Sequence, residues 1–370
     1  MENIICNNNL QENTGEHKNN FIPSLSFNAS GWLYIFQLGV IDVIQERSDI
    51  QYFRAYGTSA GASAGAVLVL GVSSTLVAEE ICKQELQTRS DFKKMVSLMK
   101  NGIKRLTPTY GYKSLNNLLH INCTVFDYNS PFYFKNVEFN KFSSTNDVIE
   151  LLSATAHIPI LGGYKPYIYK GHMLYDGLFT NSHPLNDNHT CFKISWTNKC
   201  SCCCTHDINN PRVFSPKVDF PTRWCFLPPD NKTLRLIYWH GYCESAALIE
   251  RPDFPSNELK IKPRISNINN ITPPEDVNYH INEISNTPIN LITDETKESI
   301  LCYSDNISIE LKKRIDISNE KWRGCIGCIR YTVITLSIIF PCCPLKRIVQ
   351  PLVLSGRFNE DTEYNKIKKI

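Results

Sequence analysis

Short apolar runs alternate with helix-like patterns along the first two thirds of the chain. Leu25–Phe27 is a strand candidate, and after it apolar residues recur at helical spacing over residues 32–44. A second strand predicted over residues 50–56 precedes Ala60–Leu70, whose small and apolar residues are typical of a buried helix. The repeated order of strand, turn and helix predicts an α/β fold with a mainly parallel central sheet covered by helices.

The pattern changes after residue 250, which predicts one enzyme-sized domain over residues 22–250. Residues 251–320 are rich in Asn, Ile, Glu, Lys and Pro without sustained periodicity, which indicates a polar linker or weakly ordered extension. Residues 321–356 are apolar again and contain cysteines, as expected of a membrane-associating segment. The ends, residues 1–21 and 357–370, are polar and are predicted to be disordered tails.

Composition narrows the class of protein. Of the 370 residues, 42% are hydrophobic and 20% are charged, as in an ordinary globular protein with a packed core. The net charge of +3 is too small to indicate a nucleic-acid partner. Fifteen cysteines, an odd number, occur without a secretory signal, so we expect reduced thiols and an intracellular, cytoplasmic location rather than a disulfide framework.

The sequence after the second strand fits the pattern G-x-S-x-G. In Gly57-Thr-Ser59-Ala-Gly61 the serine would occupy a strained turn between strand and helix, with its hydroxyl exposed. An overlapping match places Ser63 between Gly61 and Gly65. Ser59 directly follows the strand, whereas Ser63 lies one helical turn further on. We therefore predict Ser59 as the nucleophile and Ser63 as a small packing residue.

A serine nucleophile needs a base, which is usually a histidine held by a carboxylate. Among nine histidines, His157 is the most interior by pattern, near the end of a helix opened by the capping box Ser144–Asp147. A packed core role is the favoured interpretation of this histidine. Asp176 is the other candidate base, at the end of a strand pair predicted over residues 167–175, although its Asp-Gly pair is also a common turn.

Three motifs in this order resemble the patatin-like phospholipase family: Ser24–Leu33, Gly57–Gly61, and His157–Leu161 with Tyr175–Gly177. The resemblance covers roughly residues 22–250. It implies a three-layer α/β/α domain and a lipid acyl hydrolase for phospholipid or acylglycerol, with no metal and no organic cofactor. The implied partners are a lipid substrate and a membrane or lipid-droplet surface, which an enzyme of this kind approaches from the cytoplasm as a peripheral protein.

The same resemblance implies a Ser-Asp dyad, with Ser59 as nucleophile and Asp176 as general base. It also implies an oxyanion hole of backbone N–H groups in a glycine-rich turn after the first strand, here Ser30 and Gly31. The chain departs from the family at this turn, because it keeps Gly31 but has Ser30 and Tyr34 in a stretch that is richer in glycine in the family. The altered turn leaves a non-catalytic, membrane-bound protein as one alternative. Acyl transfer to a lipid alcohol is another, because the same dyad could serve either outcome.

Two segments are candidates for contact with lipid. Residues 91–106 predict an amphipathic helix with a basic face, which either lies on an anionic membrane or packs on the core with that face in solvent. Tyr331–Pro344 is uncharged but shorter than the ~20 residues of a spanning helix. It is either an interfacial or re-entrant segment or a buried helix or strand.

Cysteines flank this apolar segment and crowd a second place in the chain. The flanking group is a candidate for palmitoylation, whereas its second pair is adjacent in sequence and therefore poorly spaced for zinc. The other cluster has the same defect and is predicted to be a surface loop. The two groups are Cys325, Cys328, Cys342 and Cys343, and Cys200, Cys202, Cys203 and Cys204.

Overall fold

A computed structural model describes residues 22–49, 52–88, 104, 111–127, 134–159, 165–184, 191–198, 210–262 and 277–323. Its strands are β1 (Ser24–Phe27), β2 (Arg54–Thr58), β3 (Leu119–Phe126), β4 (Phe134–Phe139), β5 (Tyr167–Tyr169), β6 (His172–Asp176), β7 (Cys191–Ile194) and β8 (Val213–Phe214). Its α-helices are α1 (Tyr34–Arg47), α2 (Ala60–Leu70), α3 (Ser74–Thr88), α4 (Gly111–Leu115), α5 (Thr145–Thr155), α6 (Asn231–Ile249), α7 (Ser256–Leu259), α8 (Val277–Asn286), α9 (Asp294–Cys302) and α10 (Ser304–Arg323). Short 3-10 helices span Gly31–Leu33, Gly177–Phe179, Thr222–Cys225 and Ile289–Leu291.

The described strands form one mixed sheet in the spatial order β5-β6-β3-β2-β1-β7-β8, with β4 also paired to β3. The central strands and one edge, from β3 through β2, β1 and β7 to β8, are parallel. Strands β4, β5 and β6 add antiparallel pairs at the other side. Helices flank the sheet, with α1 against α3 and α6, and α2 against β2 and β3. The predicted α/β/α fold class is confirmed.

The register of β3 brings two other strands together. Strand β4 pairs along one edge of β3. The other edge of β3 is shared by β2 and β6. Strand β2 runs parallel to β3 and ends with Thr58 beside Asn122. Strand β6 runs in the opposite direction and ends with Asp176 beside Cys123, the next residue of β3. The carboxyl ends of β2 and β6 therefore face each other along a single strand edge.

Local patterns determine several element boundaries. Helix α2 has the predicted bounds, Ala60–Leu70, and is buried over all but its last two residues. Helix α5 begins after Ser144, whose hydroxyl accepts the Asp147 N–H at 3.1 Å as the capping pattern predicts. Strand β2 spans residues 54–58, so it starts and ends later than the strand predicted over 50–56.

The region beyond residue 250 differs from the sequence-based expectation. A polar linker was predicted over residues 251–320, but the described part folds onto the domain, and α8, α9 and α10 all contact α6. Their apolar residues are divided among three separate helices and interspersed with Asn, Glu and Lys, so the segment as a whole shows no sustained helical period. The buried side chains that join the main core are Ile281, Ile284, Ile289, Ile300, Tyr303, Ile307 and Leu311.

A buried ion pair also ties this extension to the domain. Glu79 on α3 contacts Arg235 on α6, with 3.0 Å between Oε1 and Nη2, and both side chains are at least nine-tenths buried. The second carboxylate oxygen of Glu79 accepts the Ile289 N–H at 3.0 Å. One carboxylate thus joins α3, α6 and the turn between α8 and α9.

Candidate active site

Ser59 occupies the turn between β2 and α2 with φ 56° and ψ −133°, a backbone region that residues other than glycine rarely adopt. The turn is tight on both sides. A Cβ atom at Gly57 would lie 2.4 Å from the Ala62 Cα, and one at Gly61 would lie 2.4 Å from the Asn28 carbonyl oxygen. Both glycines are therefore required by close backbone approach, and together they hold Ser59 in its strained conformation.

The Ser59 hydroxyl donates a hydrogen bond to Asp176, with 2.7 Å between Oγ and Oδ2. The other carboxylate oxygen of Asp176 accepts the Leu178 N–H at 2.8 Å. Asp176 is fully buried, and burial raises the pKa of its carboxyl from 3.8 to about 7, against the opposing effect of these two hydrogen bonds. Close packing continues at Gly177, where a Cβ atom would lie 2.4 Å from the Asn122 carbonyl oxygen.

Two threonines form hydrogen bonds with the backbones of Ser59 and Asp176. The Ser59 N–H donates to Thr155 Oγ1 at 2.9 Å, so that N–H is engaged in holding the turn. Thr124 donates its hydroxyl to the Asp176 carbonyl oxygen at 2.8 Å. Neither threonine was predicted from the sequence as a site residue. A hydroxyl in an otherwise apolar run, as in Ser153-Ala-Thr155-Ala, is the signal that could have identified the first.

The turn after β1, residues 28–31 (the β1 turn), lies beside the serine and aspartate. Gly31 has φ +51°, and Ser30 is almost fully buried. The Ala29 N–H donates to the Ser182 carbonyl at 2.7 Å, and the Ala29 carbonyl accepts the Trp196 indole N–H at 2.7 Å. The β1 turn is thus fixed at Ala29, while both predicted oxyanion-hole residues line the pocket that contains the nucleophile candidate.

A buried amide on α1 braces the same turn. Gln37 donates from Nε2 to the Asn28 carbonyl oxygen at 3.0 Å and to the Asn28 Oδ1 at 2.8 Å. Its Oε1 accepts the Ser30 hydroxyl at 3.3 Å. The Gln37 side chain is fully buried, and its role was not predicted from the sequence either. An amide within the otherwise apolar stretch Ile35–Ile41 was the available signal.

The pocket at this site is walled mainly by apolar side chains and suits a fatty acyl chain better than a polar ligand. One side comes from the 3-10 helix Thr222–Cys225, which we call the wall turn, and from the residue after it. The principal apolar residues of the lining are Trp32, Ile81, Ile158, Leu178, Trp196 and Phe226.

The other candidates from the sequence lie elsewhere. Ser63 is one turn into α2 and is not part of the pocket lining. The His157 ring places Nε2 2.8 Å from the Lys165 carbonyl oxygen, and its backbone carbonyl accepts the Asp176 N–H at 2.8 Å. The structure therefore brings Ser59 together with Asp176, and His157 supports the aspartate through its backbone.

Metal and membrane candidates are only partly covered by the structure. Within the described ranges, no group of three or more potential metal ligands converges. None of the described helices combines the length and apolar character needed to cross a bilayer. Both cysteine groups and the apolar run Tyr331–Pro344 lie outside the described residues, as do residues 91–106 apart from Lys104.

The fold and the site together define an α/β domain with a strained serine at a strand-to-helix turn, hydrogen-bonded to a buried aspartate. Residues 25–188 match the family model of patatin-like phospholipase. The chain therefore contains a patatin-like phospholipase domain, and the resemblance found in the sequence is confirmed. Trp196 and the wall turn lie beyond the matched residues, so part of the pocket lining comes from outside that model.

Known proteins agree with this assignment. The chain is 28% identical over 268 residues to the omega-hydroxyceramide transacylase of Mus musculus. The match covers 65% of this chain and 44% of that protein. The chain is also 27% identical over 175 residues to the human patatin-like phospholipase domain-containing protein 4, and this match covers 44% of this chain and 66% of that protein. A third relative, patatin-like phospholipase domain-containing protein 5 of Mus musculus, is 26% identical over 253 residues, 62% of this chain and 56% of that protein. The chain thus spans about half the length of most relatives it matches.

Proposed function

We propose that this protein is a serine lipid acyl hydrolase that cleaves fatty-acyl esters of phospholipid or acylglycerol. The observation that carries the proposal is the 2.7 Å hydrogen bond from the Ser59 hydroxyl to Asp176 at a strained strand-to-helix turn. The apolar pocket beside the pair and the family of the domain support a lipid ester as substrate.

In this mechanism Asp176 accepts the Ser59 proton as Ser59 Oγ attacks the ester carbonyl carbon. A carboxyl with a pKa of about 7 is a far better base at neutral pH than an exposed aspartate, whose pKa is near 3.9. The tetrahedral intermediate collapses to an acyl-serine, and the leaving alcohol takes the proton from Asp176. Water then attacks the acyl-serine with Asp176 again as base, which releases the fatty acid and regenerates the serine.

The negative charge on the tetrahedral oxygen needs backbone donors that are already in place. The N–H groups of Ser30 and Gly31 are the proposed donors, because both residues line the pocket and Ala29 and Gln37 hold their turn. Backbone donors do not depend on the side chain that follows them. The serine at position 30 is therefore compatible with an oxyanion hole.

Acyl transfer is the second candidate function. The relatives named omega-hydroxyceramide transacylase favour it, since the same acyl-serine could pass its acyl group to a lipid alcohol instead of water. The two functions share every residue of the proposed dyad and differ only in the acceptor that reaches the acyl-serine.

Product analysis with defined phospholipids and acylglycerols tests the proposal. Each lipid is incubated with and without a long-chain alcohol, and free fatty acid and new ester are measured by mass spectrometry. Ser59→Ala should abolish both products and the labelling of the protein by a fluorophosphonate probe, and Asp176→Asn should lower both rates by at least about 10³-fold. Ser63→Ala is the matched control, since it removes a hydroxyl one helical turn away and should retain parental turnover.

The outcomes separate the alternatives. A new ester in excess of free fatty acid would favour acyl transfer over hydrolysis. Parental turnover in Ser59→Ala would refute the proposed nucleophile. An absence of both labelling and turnover in the folded parent would indicate the non-catalytic alternative.

Action at a lipid or membrane surface, approached from the cytoplasm, is part of the proposal. The support comes from the family of the domain and from the apolar segment that follows α10 in the sequence. Flotation with liposomes should recover the full chain in the lipid fraction, whereas a chain truncated after residue 323 should bind less. Equal recovery of both chains would refute a role for that segment.

A further inference from the structure

We propose that Ser318 on α10 is a positioning residue for the oxyanion hole, acting through the wall turn on Gly31. This inference rests on the proposed function, because it assigns the β1 turn the role of stabilising the tetrahedral oxygen. It extends the catalytic unit to a helix that begins more than a hundred residues beyond the matched family model.

The wall turn and the β1 turn are in direct contact. A Cβ atom at Gly31 would lie 2.0 Å from the Cys225 carbonyl oxygen and 2.7 Å from its carbonyl carbon. The two backbones therefore touch with no room for a side chain between them. Gly31 and Cys225 also line the same pocket as Ser59. Any shift of Cys225 changes the space in which the Gly31 N–H is held.

The wall turn is hydrogen-bonded to α10 through Ser318. The Ser318 hydroxyl accepts two hydrogen bonds, one from Arg223 Nη2 at 2.8 Å and one from the Trp224 indole N–H at 3.3 Å. Both donors directly precede Cys225 in the sequence, and Trp224 is almost fully buried. A single oxygen thus holds the two residues that set the position of the Cys225 carbonyl.

Helix α10 is itself held against α6. Its Arg314 donates from Nη1 to Thr233 Oγ1 at 3.1 Å and to Asp230 at 3.4 Å, at the start of α6. Leu311, one turn earlier, is fully buried in the main core. Because these contacts hold α10 against α6, Ser318 presents its hydroxyl from a fixed element. The wall turn has only four residues, and the Ser318 hydroxyl is one of the groups that hold it.

Loss of the Ser318 hydroxyl leaves the buried Trp224 indole N–H without this acceptor and removes one hydrogen bond from the Arg223 guanidinium. The indole moves toward another acceptor, because a buried N–H without a hydrogen bond is unfavourable. Movement of the wall turn would misplace the Gly31 N–H relative to the tetrahedral oxygen. Since that interaction is made in the transition state, the effect should fall on kcat rather than on KM.

The test compares Ser318→Ala, Ser318→Thr and Ser308→Ala in the full chain, with the phospholipid or acylglycerol ester that the parent turns over. Ser318→Ala should lower kcat about tenfold, less than the 10²–10³-fold of a deleted oxyanion donor, with KM within about twofold. Ser318→Thr restores the hydroxyl and should recover most of the rate. Ser308→Ala is the matched control, because its hydroxyl lies on the same helix, 3.4 Å from His240 on α6, and makes no contact with the wall turn.

Thermal unfolding is measured for every variant, so that a general loss of stability is separated from a local effect. If Ser318→Ala does not fold, Trp224→Phe replaces it, since it removes the indole donor and keeps an aromatic ring. Parental kcat in the folded variant, or a loss equal to that of Ser308→Ala, would overturn the proposal. Turnover that survives Ser59→Ala would refute the proposed function instead, whatever the result at Ser318.

Discussion

Replacing Asp176 by asparagine should stabilise the folded protein, and the gain should grow with pH. The Asp176 carboxyl is fully buried, and its pKa is raised to about 7 mainly by that burial. The folded state therefore prefers the protonated carboxyl, whereas the unfolded chain releases this proton near pH 4. Asparagine has a similar shape and is never charged, so its stability is independent of this equilibrium.

The magnitude follows from linkage between proton binding and folding. Because the pKa is raised in the folded state, the stability that the proton provides is complete below about pH 4 and is lost as the pH rises to about 7. A difference between 3.8 and about 7 corresponds to about 4 kcal/mol once both states are ionised. At pH 5 the loss amounts to only about 2 kcal/mol. The advantage of the asparagine variant should thus increase by roughly 2 to 3 kcal/mol between pH 5 and pH 8.

Urea unfolding followed by circular dichroism at pH 5, 6, 7 and 8 measures this difference directly. Asp316→Asn provides the control, since Asp316 lies on the exposed side of α10 and its removal should change stability by less than about 1 kcal/mol across the series. An advantage of Asp176→Asn that stays constant from pH 5 to pH 8 would refute the reasoning. The expected result would mean that the proposed base makes the fold less stable at the pH at which it would act.

Three further predictions concern the same molecule. The rate of ester cleavage should rise about tenfold per pH unit below pH 7 and level off above it, as Asp176 ionises; a flat profile from pH 5 to pH 8 would contradict its role as base. Gly31→Ala should lower kcat at least about 10²-fold, because its Cβ would meet the Cys225 carbonyl at 2.0 Å; parental kcat would exclude the tight contact. Glu79→Ala should destabilise the protein by about 3–5 kcal/mol in urea unfolding by leaving Arg235 buried without its partner, and a loss below about 1 kcal/mol would contradict this.

Much of the domain could be predicted from local patterns. The order of strand, turn and helix around Ser59 follows from glycine spacing and from the composition of α2, whose bounds agree with the prediction. These features are encoded within about fifteen consecutive residues. The family resemblance then added Asp176, whose Asp-Gly pair alone did not distinguish a base from an ordinary turn.

The parts that escaped prediction depend on contacts between distant residues. Gln37 and Thr155 are ordinary polar residues in sequence, and only the packing of α1 and α5 places them on the backbones of the site. The extension after residue 250 shows no sustained helical period, because its buried isoleucines are divided among separate elements that pack onto the domain. The burial of these side chains depends on contacts with residues far away in the sequence, and a stretch of neighbouring residues carries no information about such contacts.

The pairing of β2 and β6 along one edge of β3 has a consequence for how this site can vary in evolution. The separation of Ser59 and Asp176 is set by which β3 residue each strand reaches, Asn122 for one and Cys123 for the other. Side chains on these strands can change while that separation persists. A single inserted or deleted residue in β3 or in the β5–β6 hairpin would shift the register and turn the aspartate to the opposite face of the sheet. Length should therefore be held constant in these strands more strictly than side-chain identity, and tolerated insertions should fall in the loops that lead into them.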